Sequence, residues 1–354
     1  MIPILSFFTG AGLMDIGFAR AGLVPIWHNE IEPWFIRGFE MGMSSLGADP
    51  VQATIQNRDS IVDVTPERIL DEAFGGTAPD IFGVIGGPPC PDFSVGGKNR
   101  GREGDRGRLS LTFVQRILSL RPTIFVFENV PGLMSNTKHH RFITELRSML
   151  EADYAVDWRI LNALDSGVPQ DRERVFMIGF RRDQVPRPTG GFQWPNDPRY
   201  IGAKKRYDWP KRGPFGGDPP RPEDIPLELM VGPLICDPAL ADLPNAEGFV
   251  PHSARFTEVE EGDDSKKSFK RLHRWRYSPT AAYGNNEVHL HPTQPRRLTV
   301  REAMRIQTIP DGYVLPAEMP LSSKYKAVAN GIPVGLAEAL ARSIREFVGD
   351  LQAQ

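Results

Sequence analysis

The sequence predicts an α/β fold: a largely parallel sheet with helices on both faces, interrupted by a long irregular segment. Three observations carry this. Apolar runs of strand length recur from residue 3 to residue 180, alternating with stretches at helical spacing. Several of these runs end in residues able to do chemistry, as the carboxyl ends of strands do in open α/β sheets. The regularity then breaks at residue 186 and returns near Arg297.

Taken in order, residues 3–8 are an apolar run ending in Thr9-Gly10-Ala11-Gly12, and Leu13, Ile16, Gly17, Phe18 and Ala21 follow at helical spacing. This is strand, tight turn, helix. A second strand is expected over 23–28, ending at Asn29-Glu30, and a third over 80–85, stopping at Gly86-Gly87-Pro88-Pro89-Cys90. After a Gly/Arg-rich stretch, 109–120 is periodic enough for a helix. Residues 123–127 read as a strand ending at Glu128-Asn129-Val130, 139–150 as a helix and 174–180 as a strand. Between 186 and 251, 66 residues hold 14 prolines and 8 glycines and little periodicity. Leu336, Leu340, Ile344 and Phe347 mark a final amphipathic helix.

Composition sets the bounds. The 354 residues suit one large domain with an insertion, or two domains. Gly (34) and Pro (33) are numerous, yet they stay below the ~25–30% that marks low complexity, and no Gly-X-Y period exists. Cys90 and Cys236 cannot build a disulfide framework, no Cys/His spacing resembles a zinc site, and no metal is expected. Residues 1–8 lack the basic start of a signal peptide, and no stretch of eighteen apolar residues is present, so a soluble cytoplasmic protein is expected. A formal net charge of -2 argues against a uniformly basic coat but is silent on local patches.

Four places could carry chemistry. Gly10-Ala11-Gly12 lets backbone pass close to a ligand at a helix start, and Glu30, twenty residues on from Gly10, can accept hydrogen bonds from a ribose diol. The spacing is not the full dinucleotide fingerprint and no Lys or Arg lies nearby for a pyrophosphate, so a nucleoside-type cofactor without phosphates fits better than NAD. Cys90, on a stiff Pro-Pro turn at a strand end, either reaches into a cleft or is a small buried hydrophobe. The loop after it, residues 96–108, holds five basic residues and five glycines, suited to closing over a polyanion or to solvation. Glu128 closes an apolar strand, where burial would raise its pKa, unless it caps the following turn. Alternation puts Gln170, Arg172 and Arg174 on one face, with Asp171 and Glu173 opposite.

Together these residues resemble the DNA (cytosine-5)-methyltransferase family of prokaryotic type. Phe8-Thr9-Gly10-Ala11-Gly12 resembles its first S-adenosylmethionine motif, and Pro89-Cys90-Pro91-Asp92-Phe93-Ser94 its Pro-Cys-Gln-x-Phe-Ser nucleophile motif. Glu128-Asn129-Val130 matches Glu-Asn-Val, and Gln170-x-Arg172-x-Arg174 matches Gln-x-Arg-x-Arg. Arg297-Leu298-Thr299-Val300-Arg301-Glu302, with Gln307 and Pro310-Asp311, resembles the ninth motif. Asn330-Gly331-Ile332-Pro333 stands where the tenth has Asn-Ala-Val-Pro. The chain departs at Ser6 (Asp in the family), Leu13 (Gly), Pro91 (Gln) and Ala329 (Gly). A Cys-Phe-Thr signature, typical of the tRNA-methylating branch, is absent, and a dehydrogenase or small-molecule methyltransferase would leave Cys90, Glu128 and the arginines unexplained.

The resemblance implies a Rossmann-like S-adenosylmethionine-dependent methyltransferase core over 1–185 and 297–354, with a smaller irregular target-recognition domain over 186–296. It implies methyl transfer to C5 of a flipped-out cytosine in double-stranded DNA, through Cys90, Glu128, Arg172 and Arg174. Phe8, Gly10, Ala11, Gly12, Leu13, Glu30, Asp63 and Asn330 would hold the cofactor, with Asp59 the alternative to Asp63. Ser94, Lys98, Arg100 and Arg102 of the loop, and Lys270, Arg274 and Arg276 of a basic-aromatic cluster, would contact DNA. The chain is expected to act as a monomer, without membrane or metal, and the resemblance leaves room for a companion restriction endonuclease.

Overall fold

The computed structural model of the chain describes all residues except 48–52, 90–104, 136, 186–190, 251–252, 267, 281–282, 284–286 and 353–354. The first half runs β1 (Ile2–Phe7), α1 (Leu13–Arg20), β2 (Leu23–Asn29), α2 (Pro33–Leu46), α3 (Pro66–Phe74), β3 (Gly83–Gly86), α4 (Asp105–Leu120), β4 (Ile124–Asn129), α5 (Gly132–Ser135), α6 (Thr137–Leu150), β5 (Tyr154–Asn162), β6 (Gln170–Asp171) and β7 (Glu173–Arg181). Six of these strands form one sheet in the order β2-β1-β3-β4-β7-β5.

The sheet is parallel from β2 to β4, as expected, but β7 runs antiparallel to both β4 and β5. The reason is connection length. Residues 163–172 between β5 and β7 are fewer than the dozen or so that a parallel crossover needs. β5 itself escaped the sequence reading because it lies at the sheet edge and mixes Asp157 and Arg159 among its apolar residues.

Strand alternation divides the core into two layers. Ile4, Ile124, Val126 and Ile178 point to one face, where Phe18 of α1 packs with Leu336, Leu340 and Ile344 of the C-terminal helix. Leu5, Phe7, Phe125 and Phe127 point to the other, against Phe113 and Ile117 of α4 and Ile143 and Leu146 of α6.

The described residues of the irregular segment 186–296 form short elements only. α7 (Ala203–Arg206), α8 (Gly232–Ile235) and α9 (Arg255–Glu258) are single turns. β8 (Lys270–Arg271) pairs with β10 (His289–Leu290), and β9 (Ser278–Pro279) with β6. Regular structure returns in α10 (Val300–Ile306), where Thr299 and Glu302 form a capping box, then α11 (Leu321–Asn330) and α12 (Val334–Gln352). Among the described residues no helix is long and apolar enough to cross a membrane.

α12 lies directly against α1. A Cβ added at Gly17 would sit 2.5 Å from the Ala337 Cβ and 2.7 Å from the Val334 carbonyl oxygen. Gly17→Ala therefore overpacks this contact and should cost about 1–3 kcal/mol, read as a lower urea midpoint at unchanged slope.

Candidate active site

The carboxyl ends of β1, β2, β3 and β4 open on one cavity of about 520 Å³, with the end of α11 forming its far wall. The turn after β1 is built from left-handed backbone: φ is 54° at Phe8, 60° at Gly10 and 74° at Gly12. For a bulky residue such as Phe8 this conformation costs of order 1–3 kcal/mol, the kind of strain that surrounding structure must hold in place. Gly12 is required twice over, since a side chain there would also collide with Met43 and Phe39 of α2.

Glu30, at the end of β2, braces this turn. Its Oε2 accepts from the Gly10 amide and its Oε1 from the amides of Ile31 and Glu32, each at 2.8 Å. Burial raises its pKa, partly offset by these donors. Phe8, Gly10, Ala11, Leu13, Glu30 and Asn330 all line the cavity, while Gly12 lies behind the turn. Leu13 fits because Gly331 has no side chain: a Cβ there would be 2.7 Å from Leu13 Cδ2 and 3.1 Å from its Cβ. Asp63 is exposed and outside the cavity lining, where Ser60 and Ile61 stand instead. Asp59 is likewise exposed, paired with Arg68 at 2.7 Å.

The inner end of the cavity holds Glu128, from β4. Its carboxylate meets Arg174 Nε of β7 at 3.0 Å, across the antiparallel pair that the sequence did not reveal. Burial raises the Glu128 pKa, with Arg174 and Arg172 opposing the rise. Gly87 lies so close that a Cβ there would be 2.5 Å from Glu128 Oε2. Asn129 donates to the Pro88 carbonyl at 3.0 Å, fixing the segment that leads to residue 90. Gly87, Pro88 and Pro89 line the cavity beside Glu128. Cys90, Pro91, Ser94, Lys98, Arg100 and Arg102 lie outside the described residues.

Gln170, Arg172 and Arg174 are buried as alternation predicts. Arg172, however, is committed elsewhere than to a cavity ligand. It is absent from the cavity lining, and its Nη2 donates to the carbonyls of Ala329 (2.6 Å) and Gly331 (2.8 Å), with burial pulling its pKa down to about 9. Gln170 donates to Gln307 Oε1 at 3.0 Å, and Gln307 donates to Val328 O at 2.7 Å. Sequence reasoning gave Gln307 no task; its spacing after the capping box was the available signal.

In the basic-aromatic cluster each of the three cations has an acidic neighbour. Lys270 pairs with Glu287 (2.9 Å) and Arg276 with Asp264 (3.1 Å), while Arg274 grips Glu261 through Nε and Nη2, both at 2.9 Å. Glu261 and Asp264 of the acidic run 258–264 thus meet Arg274 and Arg276, while the partner of Lys270 lies further along the chain.

Two outcomes follow. Because the folded-state pKa of Glu128 is raised above its ordinary 4.5, the native state binds more protons than the unfolded state above that pH, and this group loses stability as pH rises. Thermal melts should show Glu128→Gln gaining on the parent chain from pH 4.5 towards pH 8. Gly331→Ala should lower the melting temperature by a few degrees, corresponding to about 1 kcal/mol or more, and Leu13→Ala in the same chain should restore part of the loss.

The model of the family described as C-5 cytosine-specific DNA methylase matches residues 2–211 and 241–346. The chain is 38% identical to the type II methyltransferase M.NmeDI of Neisseria meningitidis serogroup C, over 98% of this chain and 84% of that one. It is 29% identical to M.MthTI of Methanothermobacter thermautotrophicus, over 98% and 97%. In fold it resembles a protein of an E. coli prophage assigned as a DNA modification methyltransferase (TM-score 0.71, 22% identity, 99% and 100% covered) and the S. pombe Dnmt2 methyltransferase (TM-score 0.60, 13% identity, 99% and 100% covered). The chain belongs to the C-5 cytosine-specific DNA methylase family and is a DNA cytosine-5 methyltransferase.

Proposed function

We propose that the cavity holds S-adenosylmethionine, and that the chain methylates cytosine within one duplex sequence through a covalent bond from Cys90. The observation that carries the reading is the juxtaposition of two unlike ends in one cavity. At one end Glu30 and the Gly10 turn stand; at the other, Glu128 is held by Arg174 beside the segment leading to residue 90.

The lining fits that cofactor. Its volume lies in the range of small-molecule sites. Glu30 is a carboxylate for a ribose diol, Phe8 and Ile31 offer apolar surface, and Asn330 and Gly331 close the opposite side. Among the described residues, Lys326 and Arg174 are the lining cations, and Arg174 is already engaged by Glu128, so this part of the wall suits a nucleoside without phosphates. When bound, S-adenosylmethionine supplies an electrophilic methyl on its sulfonium.

The protein's part is to make cytosine C5 reactive. Addition of the Cys90 thiolate at C6 pushes electron density onto C5. Glu128, whose raised pKa keeps a proton within reach, would deliver it to ring N3 and stabilise the enamine. Arg174 fixes the Glu128 carboxyl and stands beside the space for the base oxygen. Arg172 acts one step further out, by holding the Ala329–Gly331 turn. Loss of the C5 proton then expels the thiolate. The chemistry requires the base outside the stack, at a cost of a few kcal/mol for unpairing. Residues 186–296 would read the sequence, and residues 96–108 would close over the strand. The type II methyltransferases among its relatives support a modification role, with a companion endonuclease cutting the same site.

Expression in a host without cytosine methylation, followed by bisulfite sequencing, should show methylation confined to one short sequence. Cys90→Ser should abolish it, and Glu128→Gln should slow it by about 10²–10⁴-fold. Unmethylated DNA alongside abundant folded protein would overturn the reading.

A further inference from the structure

At the turn of the cavity, where Asp15 forms part of the lining, two titratable side chains that the mechanism does not use have been brought together. Asp15, in the first turn of α1, and His28, near the end of β2, are both fully buried, with His28 Nε2 3.5 Å from Asp15 Oδ1. No hydrogen bond of good geometry reaches either carboxyl oxygen of Asp15 or Nε2 of His28, although the Ser6 hydroxyl and the Asp15 amide lie close to the carboxyl.

The other edge of the imidazole decides its state. His28 Nδ1 lies 3.1 Å from Gln56 Oε1, and the same oxygen accepts the His28 backbone amide at 2.8 Å. An amide oxygen only accepts, so Nδ1 carries the ring proton, and Nε2 of the neutral ring turns a lone pair towards Asp15. A carboxylate there would set two acceptors against each other without water. A second proton on the ring would create an ion pair where desolvation is most costly.

The Ser6 hydroxyl and the Asp15 backbone amide favour a carboxylate, and Gln56 and the Thr54 backbone favour an imidazolium, but burial opposes both charges more strongly. Ser6 is the polar side chain beside the carboxyl, the Phe39 ring lies 4.6 Å from the imidazole, and the Tyr313 hydroxyl is turned to the carbonyls of Ala11 and Gly38. Burial pushes Asp15 up to about 7 and His28 down to about 4.

We propose that Asp15 is a positioning residue that keeps its proton at neutral pH and donates it to His28 Nε2, a neutral pair stapling α1 to β2 beneath the cofactor. Asp15 follows the Gly10–Leu13 turn by two residues, and His28 precedes Glu30 by two. The pair thus fixes how the Gly10 turn and Glu30 sit against each other at their end of the cavity. Its functional consequence rests on the cofactor reading given above; its protonation state does not.

Two measurements on the full chain test it. Nitrogen NMR of labelled histidine should show His28 neutral and protonated at Nδ1 from about pH 6 to about pH 8. Calorimetry with S-adenosylhomocysteine should show Asp15→Asn, which keeps a neutral N–H donor, binding within about threefold of the parent, and Asp15→Leu, of similar bulk without a donor, about tenfold weaker. The kcat of both variants at saturating cofactor should change little. An imidazolium at neutral pH, an Asn variant as weak as Leu, or a Leu variant as tight as the parent would overturn the proposal. If Leu does not fold, the Asn affinity and the histidine spectrum still decide it. A parent chain that binds no S-adenosylhomocysteine would overturn the cofactor reading while leaving the spectrum to judge the pair.

Discussion

A fully buried guanidinium, Arg172, holds together parts of the molecule that lie far apart in sequence. It reaches the carbonyls of Ala329 and Gly331 across 157 and 159 positions. Stripping water from a cation costs several kcal/mol, and such a group survives only where fixed dipoles or counter-charges replace the lost hydration. Here two carbonyls and the nearby Glu128 carboxylate do so. Gln170 and Gln307 add a second tie to the same turn. Asn330 stands between the two anchored carbonyls, and α12 starts directly beyond them, so the far wall of the cavity inherits its position from this buried cation.

The two carboxylates that face the cavity show how environment separates roles. Both lie at strand ends and burial raises both. Glu30 is surrounded by three backbone donors, which fix both its oxygens and favour its charge. Glu128 is met by one arginine and closely approached by Gly87, where a side chain would collide with its carboxyl. One is an acceptor by construction; the other can hold a proton. Environments that pull similar groups apart are the usual way one fold supports acid and acceptor chemistry together.

Much of this was readable in the sequence wherever local pattern sufficed. The glycine turn after β1, the strand ends at Glu30 and Glu128, and the alternation of Gln170, Arg172 and Arg174 are short-range signals, and the structure places them as read. Tertiary pairing was not readable. The antiparallel β7 followed from a connection length hidden by the unrecognised β5. The tasks of Arg172 and Gln307 depend on a turn more than 150 residues away from one of them. The individual partners of Lys270, Arg274 and Arg276 were not readable, because the sequence shows charge density and not pairing; the acid that meets Arg274 lies 13 positions upstream. The Asp15–His28 contact had no local signature, since a buried Asp in a helix reads like any first-turn acid.

The cavity is also a seam between early and late chain. Its first wall is made by Gly10–Leu13, its far wall by α11, and the Tyr313 hydroxyl reaches the Ala11 carbonyl across 302 positions. At ribosomal rates of 5–20 residues per second, roughly 15–60 s separate the synthesis of those two contacts. During that interval β1, α1 and β2 have no α12 to cover Ile4 and Phe18, and the strained Phe8 turn has no far wall. Nascent chains of this enzyme should therefore lack a closed cavity, and would be open to chaperones or proteases, until the segment beyond residue 330 folds back.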